Sequence, residues 1–151
     1  MRAESGDRPE WGDDDLAALI DDARRWARVG RHALTDPEAF LREVTGGLFG
    51  ARAEGTGGRF EAAPWIVDGW KAMALRRLRC HRTLLDVEVR PRAEWITCRL
   101  EVTFGPPIPL ELSLRNVPPV SHVTVDEVTL HGARAIFTAA AEHEVVFFLG
   151  V

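Results

Sequence analysis

The sequence predicts a mostly β protein with N-terminal helices (α+β), a two-helix lead followed by an antiparallel β-sandwich. Three observations carry that expectation. Apolar residues recur at spacings of three and four up to about residue 50. From Thr83 onward the period becomes two, apolar alternating with polar. Gly and Pro clusters at Gly105-Pro106-Pro107 and Asn116-Val117-Pro118-Pro119 cut the second half into short runs. Short strands at close spacing, each with one apolar face, suit an antiparallel sandwich or barrel.

The bulk numbers set outer limits. The 151 residues fit one domain, or a helical lead and one β-domain, and 46% hydrophobic with 28% charged residues is a globular composition. A net charge of −4 leaves no basic face for general nucleic-acid binding, so no nucleic-acid partner is expected. Arginine dominates the cations, with Lys71 the only lysine. Cys80 and Cys98 make neither a disulfide framework nor a metal set, and read as reduced thiols packed like small apolar side chains. No apolar run reaches the ~18 residues of a membrane helix, and the first residues lack the apolar core of a secretory signal. A cytoplasmic protein with no membrane partner is the expectation.

In chain order, residues 1–12 read as a flexible tail with Gly6, Pro9 and Gly12. Residues 13–50 read as the helical segment. Asp13 to Asp15 offer an N-cap and the negative charge a helix dipole favours, and Leu16, Leu19, Ile20, Ala23, Trp26 and Ala27 form one apolar face closed by Gly30. Thr35 with Glu38 reads as a capping box and Pro37 lies in the first turn of a second helix. Phe40, Leu41 and Val44 give that helix its apolar face, and Gly46-Gly47 predict its stop. Residues 51–72 read as a linker or junction, and 73–151 as the antiparallel sandwich. Ile66 to Leu78 admits a helix as a rival to a strand beginning at Met73.

The firm strands come next. Leu85, Val87 and Val89 alternate with Asp86 and Glu88; Ile96, Cys98, Leu100, Val102 and Phe104 alternate with Thr97, Arg99, Glu101 and Thr103. Ile108, Leu110, Leu112 and Leu114 alternate with Pro109, Glu111, Ser113 and Arg115. Val123 and Val125 open another strand, Asp126-Glu127 and His131-Gly132 read as tight turns around Val128 and Leu130, and runs 135–138 and 145–149 finish the chain. Six or seven strands are expected.

Chemistry is harder to find. Neither a phosphate loop nor a Gly-x-Ser-x-Gly elbow occurs, and the five histidines lack zinc-site spacing. Glu142-His143-Glu144 reads as a solvated hairpin turn. Asp86 and Glu88 share a strand face, as two glycosidase carboxylates would, but the outer face of an amphipathic strand needs such residues in any case. Arg76, Arg77 and Arg79, with Arg82, form the densest basic cluster, suited to an anion or to a partner's carboxylates. Trp65 and Trp70 flank a turn, either as a sugar-stacking platform or as anchors of a linker. No catalytic residue, metal ligand or cofactor is assigned.

The stretch Gly57–Val89 resembles a junction found in carbohydrate-active enzymes built on an α/α toroid, the amylo-α-glucosidase-like debranching proteins and disaccharide phosphorylases. Leu48-Phe49-Gly50 resembles the end of the last toroid helix, and Gly58-Arg59-Phe60 the strand entering a C-terminal β-sandwich. Pro64, Gly69-Trp70 and Leu78-Arg79 resemble the junction, and Thr83 to Val89 the first firm sandwich strand. Val123 to Val128, the Gly132 turn and His143 to Gly150 resemble the final strands. The likeness spans roughly residues 35–150; the toroid with its catalytic carboxylates is not among these residues, and Val67 stands where the family has a proline. The resemblance implies a non-catalytic accessory module, packing on a toroid domain or subunit or within a homo-oligomer, with at most weak carbohydrate contact. Two other readings stay open: a small cone-shaped α+β barrel binding a small hydrophobic molecule, which wants a helix at 66–78, and an immunity or regulatory partner protein.

Overall fold

A computed structural model describes residues 11–30, 36–53 and 58–150 of the chain. These divide into two compact units, Met1–Leu48 and Phe49–Val151. Strand dominates, in two sheets, and two short helices precede it.

The first unit holds α1 (Asp13–Val29) and α2 (Pro37–Arg42). The N-cap of α1 is Gly12 rather than an aspartate; its backbone N–H donates to the Asp15 carboxylate at 2.9 Å, and Asp13 and Asp14 occupy the first turn. Gly30, at φ 104°, closes the helix as the sequence predicts. The Trp26 ring meets Phe40 edge-on at 5.2 Å, which holds the two helices' apolar faces together.

Thr35 lies outside the described residues, and the cap of α2 is Asp36, accepting the Ala39 N–H at 3.1 Å. Gly46-Gly47 do not stop the helix. The chain widens into a π-helical turn over Glu43–Leu48, where Thr45 Oγ1 donates to the Leu41 and Arg42 carbonyls. Gly47 is there for space: a Cβ would sit 2.3 Å from Trp11 Nε1, and that indole donates to Glu43 at 3.0 Å.

The second unit contains ten strands among the described residues: β1 (Arg52–Ala53), β2 (Phe60–Ala62), β3 (Met73–Cys80), β4 (Thr83–Pro91), β5 (Trp95–Phe104), β6 (Ile108–Leu112), β7 (Val120–Val125), β8 (Val128–Leu130), β9 (Ala135–Ala139) and β10 (Glu142–Leu149). The stretch read as a linker thus already forms β1 and β2. The rival helix at 66–78 is a loop followed by β3. One sheet has the order β3-β4-β5-β10-β7-β8 and is antiparallel throughout; the other is β1-β2-β6-β9, with β2 and β6 parallel. That parallel pair departs from a purely antiparallel expectation.

Alternation fixes the buried faces. Leu85, Val87, Val89, Ile96, Cys98, Leu100, Val123, Val145 and Phe147 are all at most 2% exposed, and Phe60, Ala62, Ile108, Leu110, Leu112, Ala135 and Ala139 line the smaller sheet. One facing assignment fails, and one outward residue is covered. Phe104 is 70% exposed because Leu84 pairs with Phe104 while Leu85 pairs with Val102, leaving Thr103 as an extra residue that reverses the facing of the next one. Glu111 faces outward, opposite exposed Ile136, yet is only 9% exposed because Arg59 and Arg134 cover it at 3.6 and 3.0 Å. Leu114 lies beyond the end of β6 and is half-buried.

Candidate functional site

The polar face of the six-stranded sheet presents the densest array of charge, and pairing register builds it row by row. One row runs Asp86, Glu101, Glu142 across β4, β5 and β10; the next runs Glu88, Arg99, Glu144. Arg76, Asp86, Glu88, Arg99, Glu101 and Glu142 surround a shallow depression of about 160 Å³. Three carboxylates directly opposite one another repel. Arg76 offsets this at one end, 3.7 Å from Asp86, and in the next row Arg76 lies 4.0 Å from Glu88 and Arg99 3.6 Å from Glu144.

Asp86 also shapes the backbone. Leu75 pairs with Val87 but Leu78 with Leu85, so β3 carries one extra residue there, and Arg77 takes φ 56°. The Arg77 N–H donates to Asp86 Oδ1 at 2.8 Å, holding that left-handed turn. Glu88 accepts from Arg90 at 3.1 and 3.3 Å, and this bond, helped by the charges of Arg90, Arg76 and Arg99, keeps its carboxyl below the usual glutamate range. A general acid for glycoside cleavage needs the opposite shift. Arg76 and Arg77 therefore serve this face and the bulge. Arg79 is exposed on β3 opposite Leu84.

The tryptophans sit elsewhere. Trp65 pairs with Arg115 in an isolated parallel bridge; the Ile66 N–H donates to the Arg115 carbonyl at 3.0 Å and the Arg115 N–H to Pro64 at 2.9 Å. The Arg115 guanidinium lies 5.7 Å from the Trp65 ring centre and donates through Nε to the Ala63 carbonyl. Asn116 adds a bond from its side-chain amide to the Ile66 carbonyl at 2.8 Å. Trp65 thus belongs to a clasp between the 63–67 segment and the end of β6, as an anchored linker requires. Trp70 closes the next turn, its backbone N–H donating to the Val67 carbonyl at 3.2 Å, and the residue is 39% exposed.

A third constellation is not legible in the sequence. Glu142-His143-Glu144 is the start of β10, not a turn, and the His143 side chain is only 15% exposed. Its Nε2 accepts the Ala140 and Ala141 N–H groups at 3.1 and 3.4 Å, so Nδ1 carries the proton and donates it to Asp126 at 2.8 Å. Asp126 and Glu127 form the β7–β8 turn with φ 49° and 72°, a turn usually made by Gly or Asn. Asp126 holds it by exchanging bonds with Glu144: its N–H donates to the Glu144 carbonyl at 2.8 Å and its Oδ1 accepts the Glu144 N–H at 2.9 Å. That backbone bond first, and then His143, keep the Asp126 carboxyl below its ordinary range. With both ring nitrogens engaged, His143 is a brace and not an available base.

Cys80 and Cys98 are free, buried thiols, each pushed up to about 12 by burial. Among the described residues no group of three or more His, Cys, Asp or Glu side chains is placed to hold a metal ion, and no helix is long and apolar enough to cross a membrane. No protein-family model matches the chain, and no curated protein matches it.

Proposed function

We propose that the chain is a non-catalytic accessory module whose two sheets form a sandwich, akin to the C-terminal domain of toroid carbohydrate-active enzymes, and that it acts by packing on a partner domain or subunit. The observation that carries the reading is the state of the charged depression. The two carboxylates that share a β4 face as a glycosidase pair would are already engaged: Asp86 by Arg76 and the Arg77 backbone, Glu88 by Arg90 and Arg76. The nearest resemblance to acid–base machinery, Asp126 with His143, has no nitrogen left to move a proton. An interactive role draws support from the helical segment, where Leu41 and Val29 are 51% and 48% exposed and Trp26 is half-buried. A small-molecule barrel is less well served, because the helix it wants at 66–78 is replaced by β3 and the buried faces are aliphatic.

The test is an assay of the purified chain on maltose, trehalose, isomaltose and glycogen, with and without phosphate. No turnover is expected. Turnover abolished by Asp86→Ala or Glu88→Ala would overturn the proposal and make the depression an active site.

A further inference from the structure

Two sheets expose four edges, and the chain treats them unequally. The β3 edge is interrupted by its bulge and carries Arg76, Arg77 and Arg79, the usual protections against edge-to-edge association. The β8 edge is three residues long, and β1 is two residues beginning with Arg52, whose side chain pairs with Glu61 at 2.8 Å. The β9 edge has none of these devices. Its five residues, Ala135-Ile136-Phe137-Thr138-Ala139, and the two alanines after them contain no charge.

The backbone on that edge is open. The Ser113 N–H donates to the Ala62 carbonyl, so odd-numbered residues of β6 direct their backbone groups toward β2. Pro109, which lacks an N–H, is one of them. The even-numbered residues Ile108, Leu110 and Leu112 therefore bond to Ala139, Phe137 and Ala135, their partners on β9. Ile136 and Thr138 are left with N–H and C=O groups directed away from β6, and no described residue bonds to that side. Both residues are exposed, Ile136 at 55%.

We propose that β9 is a homodimerisation edge that pairs antiparallel with β9 of a second copy about a two-fold axis at Phe137. The strand is self-complementary in that register. Ile136 falls opposite the partner's Thr138 and Thr138 opposite the partner's Ile136, so the outward backbone groups meet one another and each pair exchanges both hydrogen bonds. The β-branched side chains of Ile136 and Thr138 lie side by side across the junction, a favoured cross-strand pairing, with no charged residue on either β9, and the flanking Arg134 already paired with Glu111 at 3.0 Å. The two four-stranded sheets become one continuous sheet. A second copy suits this edge because it brings an uncharged strand whose outward backbone groups match these in number and spacing, with a donor at each position where a proline would have none. The inference does not depend on the accessory-module reading.

Sedimentation of the full chain between about 1 and about 300 µM tests it, a range spanning weak to moderate association. A concentration-dependent monomer–dimer equilibrium is expected. Ile136→Lys and Thr138→Pro should each weaken it at least about tenfold, the proline because it removes an outward N–H without breaking a bond to β6. Val128→Lys on β8 should leave it unchanged. Amide exchange on the unmodified chain guards against misfolded variants: the Ile136 and Thr138 amides should slow about tenfold on concentration. A chain that stays monomeric throughout, a dimer indifferent to both β9 substitutions, or amides whose exchange ignores concentration would each overturn the assignment.

Discussion

At the scale of single residues, the fold rests on side chains that hold unfavourable backbone geometry in place. Asp86 holds Arg77, and Asp126 holds its own turn with Glu127. The Asp126 side chain is half exposed, yet it links the β7–β8 turn to β10 through the Glu144 backbone and to the β9–β10 connection through His143. Asp126→Ala removes both acceptors, leaves the His143 N–H without its partner and puts alanine at φ 49°. It should cost about 1–3 kcal/mol in a denaturant melt, the range for a broken buried or half-buried hydrogen-bond set. The pH dependence has a definite sign. A carboxyl held lower in the folded than in the unfolded chain contributes its full stability above the unfolded value and loses it as pH falls through the folded one. The gap between wild type and Asp126→Ala should therefore be constant near neutral pH and narrow below about pH 4. A gap independent of acid would mean that the carboxylate charge contributes nothing.

At the scale of elements, the strands are legible in the sequence where alternation is strict and illegible where one residue is added. β4 and most of β5 follow the pattern: Ile96, Cys98 and Leu100 are buried, and Arg99 is exposed opposite Glu144. Periodicity cannot reveal a bulge, because the signal lies in the partner strand; Thr103 looks like any outward residue until its pairing with β4 is known. Likewise Glu111 reads as solvated until Arg59 and Arg134, 52 and 23 positions away in sequence, converge on it. The charged depression is half visible, since alternation alone puts Asp86 and Glu88 on one face, but Glu101 and Glu142 join them only through register. His143 is misplaced by the sequence for the same reason, its partner Asp126 being 17 residues away. The register of β5 gives a direct check. Leu100→Ala should cost about 2–5 kcal/mol, as for an aliphatic side chain deleted from a packed core. Arg99→Ala should stay within about 0.5 kcal/mol, since its partner is also exposed. Equal losses in parallel urea melts would contradict the one-sided burial of this strand.

At the scale of the whole molecule, the unequal distribution of buried residues decides which part folds by itself. Of the described residues before Phe49, Leu19, Gly47 and Leu48 are buried, and α1 and α2 otherwise present half-buried or exposed side chains. Helices gain most of their stability from packing an apolar face, and a chain even of about 60 residues buries only a marginal share of its surface. From Phe49 onward the reverse holds. Aliphatic and aromatic side chains from both sheets are withdrawn from water, the backbone is paired strand to strand, and the 63–67 clasp ties the incoming chain to the end of β6. Phe49 itself is 2% exposed, and its carbonyl accepts the Ala63 N–H at 2.9 Å, so the boundary of the autonomous unit falls before it. A fragment of residues 49–151 should melt cooperatively, with a β-type circular dichroism spectrum and dispersed amide resonances. A fragment of residues 1–48 should show at most frayed helix and no cooperative transition. Starting the larger fragment at residue 64 instead removes β1, β2 and the Ala63 bond of the clasp, exposing one edge of β6, and should abolish cooperative melting or drive aggregation. A shorter fragment that melts like the longer one would show that the parallel β2–β6 pair is dispensable, and that the autonomous unit is the six-stranded sheet with β6 and β9 alone.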